Sequence, residues 1–123
     1  MYAKGNDTTT IRGREAEQQA AELLRDWGLR ILVRNFRVRG GEIDLICREK
    51  QQLVFVEVRL RNRSDYGDAA ASITHTKRQR IILAARHYLL QNPQLSKLDC
   101  RFDCVLICGA ETNWLRNAFS TDD

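Results

Sequence analysis

Two segments of the sequence combine the composition of a β-strand with acidic side chains. Residues 41–46 read GEIDLI, and residues 54–59 read VFVEVR. Because side chains alternate between the two faces of a strand, Glu42 and Asp44 share one face of the first segment, and Glu57 lies among apolar neighbours in the second. Carboxylates in such positions are candidates for binding a metal ion.

The polar residues 49–52 between the two segments are few enough to form a hairpin turn. If Arg48 pairs with Leu53, the antiparallel register places Asp44 directly opposite Glu57. Like charges that face each other across a sheet are destabilising. A divalent cation would explain the arrangement, because Mg²⁺ is often held by one or two carboxylates together with water and substrate phosphate. In phosphodiester hydrolysis such an ion activates water and neutralises charge on the phosphate.

Arg59 lies two residues after Glu57, on the same face of the predicted strand. The acid and the cation can therefore converge on one scissile phosphate. An alternative interpretation needs no ligand. On a solvated sheet face, the same residues could form ion pairs between Glu42 and Arg59 and between Asp44 and Arg48. The spacing of the residues leaves both interpretations open.

A further acid, Glu17, falls on a helix predicted from about Arg12 to Trp27. Thr10 can cap the start of this helix, and Gly28 stands where a C′ glycine is expected. Glu17 lies at the edge of the apolar face and could reach the metal site, although a helical glutamate is more often a solvated surface residue. The apolar residues at helical spacing are Ala16, Ala20, Leu23, Leu24 and Trp27.

A second helix is predicted from about His75 to Gln91, and Pro93 stops it. Its first turns carry Lys77 and Arg78, which oppose the helix dipole because that end of a helix favours anions. A bound phosphate would reverse this penalty, and a solvated basic face without a ligand is the alternative. Two arginines after the second acidic segment are further candidates for contacting a nucleic-acid backbone: Arg61 and Arg63.

The remaining segments complete an α/β fold. The order of elements, α-β-β-β-α-β-β, describes a central mixed β-sheet flanked by helices. We predict one domain over residues 12–119, a flexible N-terminus over 1–11 and a tail over 120–123. The other expected features are strands at 30–38, 100–108 and 113–118, a turn at Gly40-Gly41, and a loop at 61–73.

Length and composition narrow the class of protein. A chain of 123 residues can form one domain with a hydrophobic core, and its formal net charge of +4 mildly favours anionic partners, nucleic acid first. The apolar runs are far shorter than the roughly 18 residues of a membrane span. The first residues lack the apolar core of a signal peptide. The expected location is therefore the cytoplasm, with no membrane partner.

The four cysteines are Cys47, Cys100, Cys104 and Cys108. The last three are four residues apart, within a segment that reads as a strand. Because four residues of a strand span about 13 Å, neighbouring cysteines there cannot share a zinc ion with bonds of about 2.3 Å. We predict buried, reduced thiols in the core.

Taken together, these motifs resemble the YraN family of endonuclease-like proteins over residues 12–119. That family is similar to the PD-(D/E)xK superfamily of restriction-endonuclease-like proteins, and to Holliday-junction resolvases in particular. The resemblance implies an α-β-β-β-α-β core, a Mg²⁺ or Mn²⁺ site built from Asp44 and Glu57 with Glu17 in support, and a helix cation, Lys77, near that site. It is based on the order and spacing of Gly13, Glu17, Ala20, Asn35, the GEIDLI and VFVEVR segments, Arg61, Lys77 and the triplet Arg101-Phe102-Asp103.

One residue departs from the superfamily pattern, which ends Glu-x-Lys, because this chain has Arg59 at the lysine position. A lysine can lose its proton and help to activate water, whereas arginine stays protonated and would instead stabilise phosphate charge. We expect a metal-dependent nuclease that acts on DNA, such as branched or repair intermediates, with Glu17, Asp44, Glu57 and Arg59 as its catalytic residues. The alternatives are a nucleic-acid-binding protein without catalysis and a scaffold for a protein partner. A homodimer is one option for its assembly.

Overall fold

The computed structural model describes residues 3–61 and 73–122, with side chains from residue 13 onward. Its elements are α1 (Ala3–Asp26), β1 (Arg30–Val38), β2 (Gly41–Glu49), β3 (Gln52–Leu60), α2 (His75–Gln91), a 3₁₀-helix (Pro93–Lys97), β4 (Asp99–Cys108) and β5 (Glu111–Phe119). The strands form one sheet in the order β1-β2-β3-β4-β5, in which β3 and β4 are parallel and the other neighbours antiparallel. The predicted α/β class and order of elements are confirmed. Neither α-helix in these ranges has the length and apolar character to cross a membrane.

Helix α1 ends as predicted. Gly28 has a φ of 93°, a conformation that glycine adopts at little cost. The N–H groups of Gly28 and Leu29 donate to the carbonyls of Arg25 and Leu24. Such bonds satisfy the last carbonyls of a helix, so the chain turns sharply into β1.

Two predictions about α1 are wrong. The helix begins at Ala3 rather than near Arg12, so Thr10 lies inside it and not at its N-cap. Propensity favours the shorter helix, but a helix that has nucleated can extend by one hydrogen bond per added residue. Trp27 is 63% exposed, because it follows the last helical residue, and its ring meets Trp114 edge-on at 6.3 Å.

Helix α2 begins and ends as predicted. Thr74 is its N-cap, and the Thr74 Oγ1 accepts a hydrogen bond from the N–H of Lys77 at 3.1 Å. Pro93 begins the 3₁₀-helix that follows. The apolar face of α2 is buried or packed against the core, and it consists of Ile81, Ile82, Ala85, Tyr88 and Leu89.

Hydrophobic clusters cover both faces of the sheet. Val54 and Val56 of β3 belong to the cluster that includes α1, and Leu53 and Phe55 belong to the cluster that includes α2. This alternation shows that the two helices pack on opposite faces. Full burial of one large aliphatic side chain contributes about 1.5–3 kcal/mol, so the paired clusters hold both helices firmly against the strands.

The strand alternation is interrupted where β1 faces β2. Ile43 and Ile46 are three residues apart, yet both belong to the α2-side cluster, while Leu45 belongs to the α1-side cluster. On the neighbouring strand, Asn35 has a φ of 52°, a left-handed conformation that asparagine tolerates better than most residues. The β1–β2 register places Asn35 across from Asp44. The irregularity therefore coincides with the first of the predicted metal ligands.

A fully buried acid on β4, Asp103, completes a network of its own. Its carboxylate accepts hydrogen bonds from Arg101 Nε at 3.0 Å, from Trp114 Nε1 at 2.9 Å and from the Asn117 N–H at 2.9 Å. Arg101 also donates to Glu49 Oε1 at 3.0 Å. A buried charge with this many partners is compensated. We therefore interpret the ion pair of Asp103 with Arg101 as structural.

The substitution Asp103→Asn is expected to lower the free energy of unfolding by about 2–3 kcal/mol, because it weakens several hydrogen bonds to a buried charge. Urea unfolding followed by tryptophan fluorescence measures the change. The same substitution at exposed Asp99, on the same strand, should stay within about 0.5 kcal/mol of the parent protein. Equal losses in the two variants would contradict a structural role for the network.

The cysteines follow the prediction in part. All four are free thiols; Cys47 and Cys104 are buried, Cys108 is half-buried and Cys100 is exposed. The prediction is wrong for Cys100, which lies at the open start of β4. Burial raises the pKa of Cys47 and of Cys104 to about 12, as expected for unreactive core thiols.

Candidate functional site

The predicted hairpin register is confirmed, and the hairpin then opens into a fork. Arg48 pairs with Leu53, and the β2–β3 ladder ends three pairs further on. Beyond it, Asp44 Oδ2 accepts a hydrogen bond from the N–H of Val58 at 2.8 Å. The side chain thus replaces the backbone acceptor that β2 no longer supplies, as a buried N–H requires. Asp44 is thereby held between the two strands.

Glu57 is the buried member of the carboxylate pair. Its side chain lies beside Asp44, the residue is only 4% exposed, and Oε1 accepts no hydrogen bond from any residue in the described ranges. Burial, and then the charge of Asp44, raise the pKa of Glu57 to about 8, against the lowering effect of Lys77 and Arg59. Removal from water disfavours the charged form of a carboxyl group. The folded state therefore favours the protonated form of Glu57 when no further cation is present.

Glu17 approaches the same site from α1. Its Oε1 accepts a hydrogen bond from Asn35 Nδ2 at 3.0 Å, and Asn35 lies across from Asp44. Burial and the charge of Asp44 raise the pKa of Glu17. The fold thus places Asp44 close to Glu57 and within the electrostatic reach of Glu17. Asn35 is a site residue that was not predicted, although an asparagine inside a strand is a signal for left-handed backbone.

Lys77 reaches the site from α2. Its Nζ lies 3.8 Å from Glu57 Oε2 and 3.8 Å from Glu42 Oε1. Gly41 permits this approach, because a Cβ atom there would clash with the carbonyl oxygen of Arg80 in α2. The helix can therefore lie directly against the start of β2, where it presents Lys77 to both acids.

Arg59 contacts the same carboxyl group along β3. Its NH1 lies 3.6 Å from Glu57 Oε2, and its Nε is buried with no hydrogen-bond acceptor among the described residues. Glu57 therefore has two cations at one oxygen and none of the described donors at the other. Both unpaired atoms mark a polar site that a ligand could complete.

The ion-pair ladder considered as an alternative is wrong. Glu42 pairs with Arg80 at 3.1 Å and with Arg37 at 3.6 Å rather than with Arg59, and Arg48 donates to a turn carbonyl. The hydrogen bond from Arg80, more than the neighbouring positive charges, lowers the pKa of Glu42. The acid pair is not on a fully solvated face, because Glu57 is buried and Asp44 is half-buried.

The other cations predicted to bind nucleic acid lie in different surroundings. Arg61 is half-buried just after β3. Arg78 Nε donates to the carbonyl of Ile73 at 2.9 Å, and its guanidinium lies 5.6 Å from the centre of the Phe119 ring. Arg63 lies outside the described residues. Contact of these three arginines with nucleic acid stays a prediction.

The oxygen atoms of the site suit an ion that keeps most of its own water. In the described ranges, no three or more Cys, His, Asp or Glu side chains are arranged to enclose a metal ion. Asp44 and Glu57 offer carboxylate oxygens, and a cation would give the buried Glu57 Oε1 the partner it lacks. Mg²⁺ commonly binds through one or two carboxylates, waters and phosphate, so the two acids fit such an ion.

These features define a class of α/β protein: a five-stranded mixed sheet, a helix on each face, and a carboxylate pair where two strands diverge. The chain belongs to the uncharacterised protein family UPF0102, the YraN family, whose model matches residues 16–107. The predicted family is therefore confirmed.

Relatives span most or all of the chain. A UPF0102 protein of Dechloromonas aromatica is 63% identical over 123 residues and covers 100% of both chains. A UPF0102 protein of Nitrosomonas europaea is 50% identical over 97% of this chain and 98% of its own. One from Klebsiella pneumoniae is 51% identical over 84% of this chain and 81% of its own. These names state no activity, so function must be argued from the site.

Proposed function

We propose that the protein is a metal-dependent nuclease that hydrolyses phosphodiester bonds in DNA. The burial of Glu57 beside Asp44 carries this proposal. Two adjacent acids that are both ionised in a buried place cost folding free energy. A bound cation would offset that cost and give the arrangement a use.

Asp44 and Glu57 would hold Mg²⁺ or Mn²⁺, which when bound would activate water and neutralise charge on the scissile phosphate. The hydrogen bond from the Val58 N–H, at 2.8 Å, orients the Asp44 carboxylate before any ligand arrives. Ligands that are already oriented lose less entropy on binding. The fork between β2 and β3 would therefore act as a preformed half of the site.

Lys77 and Arg59 would serve the phosphate in different ways. Both lie within ion-pair distance of Glu57, at 3.8 Å and 3.6 Å from its Oε2. Arg59 would hold phosphate oxygens as a permanent positive charge. Lys77 would take the place of the lysine that β3 lacks, because an ammonium group can orient water and can also give up a proton.

Glu17 would act from the α1 side of the site. Its carboxyl group is held by Asn35 Nδ2 at 3.0 Å, and burial, followed by the charge of Asp44, raises the pKa of Glu17. A carboxyl group in this position can accept a hydrogen bond from water and so orient it toward phosphorus.

Calorimetric titration of Mn²⁺ into the metal-free parent protein is expected to give a binding heat. Asp44→Asn should weaken the affinity for Mn²⁺ at least about 10-fold. Asparagine keeps the size of the side chain and removes its charge. Asp99→Asn, the same change at an exposed position on β4, is the matched control and should bind as the parent does.

The same proteins are then compared for cleavage of branched and single-stranded DNA with Mn²⁺. The parent and Asp99→Asn should cut, and Asp44→Asn should not. Cleavage that persists in Asp44→Asn would come from a contaminating nuclease and would overturn the proposal. Equal binding heats from all three proteins would show that Asp44 does not bind the metal ion, and the metal-dependent mechanism would then be wrong.

A second candidate function is DNA binding without catalysis, and Arg59 at the superfamily lysine position is the observation in its favour. For such a protein, the logarithm of the affinity for DNA would fall linearly with the logarithm of the salt concentration. It would cut no DNA with either metal. A protein that neither binds nor cuts would instead favour the scaffold alternative.

A further inference from the structure

A polar groove runs beside the carboxylate site between α1 and β1. It has a volume of ≈ 450 Å³ and is lined by Gly13, Arg14, Glu17, Asn35 and Arg37. Pockets for small ligands typically measure about 300–1,000 Å³, so the groove has room for a nucleotide unit. Glu17 belongs both to the groove and to the acid site, so whatever occupies the groove is next to the proposed reaction.

Gly13 is the residue of this groove that the fold itself does not explain. It lies in the interior of α1, where glycine destabilises a helix relative to alanine. A Cβ atom at Gly13 would meet nothing within 4 Å, in contrast to Gly41, where α2 leaves no room for one. No described neighbour requires the missing side chain, and the bare backbone at this position lines the groove.

The charges of the groove indicate what kind of ligand it could bind. Arg14 and Arg37 are both exposed. The Arg37 side chain is 71% exposed even though it pairs with Glu42. Guanidinium groups bind phosphate through two parallel hydrogen bonds, and bare backbone at a glycine allows a sugar-phosphate chain to come close.

We propose that Gly13, Arg14 and Arg37 form a subsite for the sugar-phosphate backbone of DNA on the α1 side of the acid pair. This inference rests on the proposed function and deepens it. Lys77 approaches the acids from α2 on the opposite face of the sheet. A DNA strand at the fork is therefore held from both faces, with the phosphates on one side of the cleaved bond in the α1 groove.

The test uses Gly13→Ala, whose two expected effects have opposite signs. Thermal unfolding should show a melting temperature higher by several degrees, because alanine favours the helix. Fluorescence anisotropy with labelled branched DNA, in EDTA so that no cleavage occurs, should show several-fold weaker binding. A variant that is more stable and yet binds less well cannot owe its loss to misfolding.

The charge of the groove is tested with Arg14→Gln and Arg37→Gln, and Arg86→Gln is the matched control. Arg86 is exposed on α2, more than two turns beyond Lys77. Each groove variant should flatten the slope of log affinity against log salt by about 0.7–0.9, the value for one lost phosphate contact. The control should keep the slope of the parent.

The outcomes separate the two proposals. If the parent binds DNA and all groove variants bind equally well, the subsite is wrong, while metal binding and cleavage at Asp44 still stand. If the parent binds no DNA at low salt, both the subsite and the DNA substrate of the proposed function are overturned. Weaker DNA binding by Gly13→Ala and by both arginine variants, with binding by the Arg86→Gln control unchanged, supports the subsite.

Discussion

Replacing Lys77 by methionine is expected to lower the rate of DNA cleavage about 100-fold or more, within the range typical of a lost acid–base group. Methionine is unbranched and nearly as long as lysine, but it has no charge and no N–H donors. Lys77 Nζ lies 3.8 Å from Glu57 Oε2, the oxygen that Arg59 also approaches along β3. We expect the effect in the rate at saturating DNA, since the chemistry is impaired more than binding.

Arg59→Met is the matched variant, because Arg59 NH1 contacts the same Glu57 oxygen at 3.6 Å. It is expected to reduce cleavage by about 10-fold, through loss of a phosphate contact, and to weaken binding as well. The double variant Arg59→Lys with Lys77→Met then returns a lysine to the site from the strand. Partial recovery of cleavage would show that the site needs a lysine and accepts it from either element.

The reverse ranking would contradict this assignment. If Arg59→Met abolishes cleavage while Lys77→Met cleaves as the parent does, the arginine is the important cation and Lys77 has a structural role. Melting temperatures must accompany the rates, because Lys77 also contacts Glu42 at 3.8 Å. A loss of cleavage without a change in stability separates chemistry from folding.

Strand periodicity and the hairpin turn were enough to predict the meeting of Asp44 and Glu57. The register of β2 with β3 depends on local turn geometry, and Arg48 pairs with Leu53 as expected. The bounds of α2 were also predictable, because its cap and its terminating proline are local signals.

The surroundings of the acid pair could not be predicted from local patterns. Lys77 meets Glu57 only because α2 packs against Gly41, and that packing joins parts of the chain that are far apart in sequence. The left-handed Asn35 and its bond to Glu17 likewise depend on the irregular pairing of β1 with β2. Periodicity describes which residues share a face, but it carries no information on which elements approach that face.

The early start of α1 has a different cause. Residues 3–11 include a glycine and three threonines, which favour other conformations. Helix extension is cooperative, so a residue next to an existing helix is more helical than its own propensity indicates. Propensity summed over the short segment therefore underestimated the helix.

Glu57→Gln is expected to stabilise the metal-free protein at alkaline pH. The folded state raises the pKa of Glu57 from 4.5 to about 8, chiefly through burial and then through the charge of Asp44. The folded state thus prefers the protonated acid. The contribution of protonated Glu57 to the free energy of unfolding is fully present below pH 4.5, and it is lost as the pH rises through 8. The shift corresponds to a loss of about 3–5 kcal/mol across this interval.

Urea unfolding in EDTA, at intervals between pH 5 and pH 9, measures this dependence. Glutamine resembles the protonated acid, so the Glu57→Gln and parent proteins should be about equally stable at pH 5. The variant should be the more stable of the two at pH 9. Stability curves that run parallel over the whole interval would contradict a raised pKa for Glu57.

Glu42→Gln is the control of opposite sign. The hydrogen bond from Arg80, first among several causes, lowers the pKa of Glu42, so its contribution is present above pH 4.5 and is lost as the pH falls through the lowered value. Glu42→Gln should therefore destabilise the protein at neutral pH, by about 0.5–1 kcal/mol for a partly exposed pair. Glu42 stabilises the fold, whereas ionised Glu57 opposes it. An acid whose removal stabilises a protein is retained for what it binds or catalyses, because folding gives no reason to keep it.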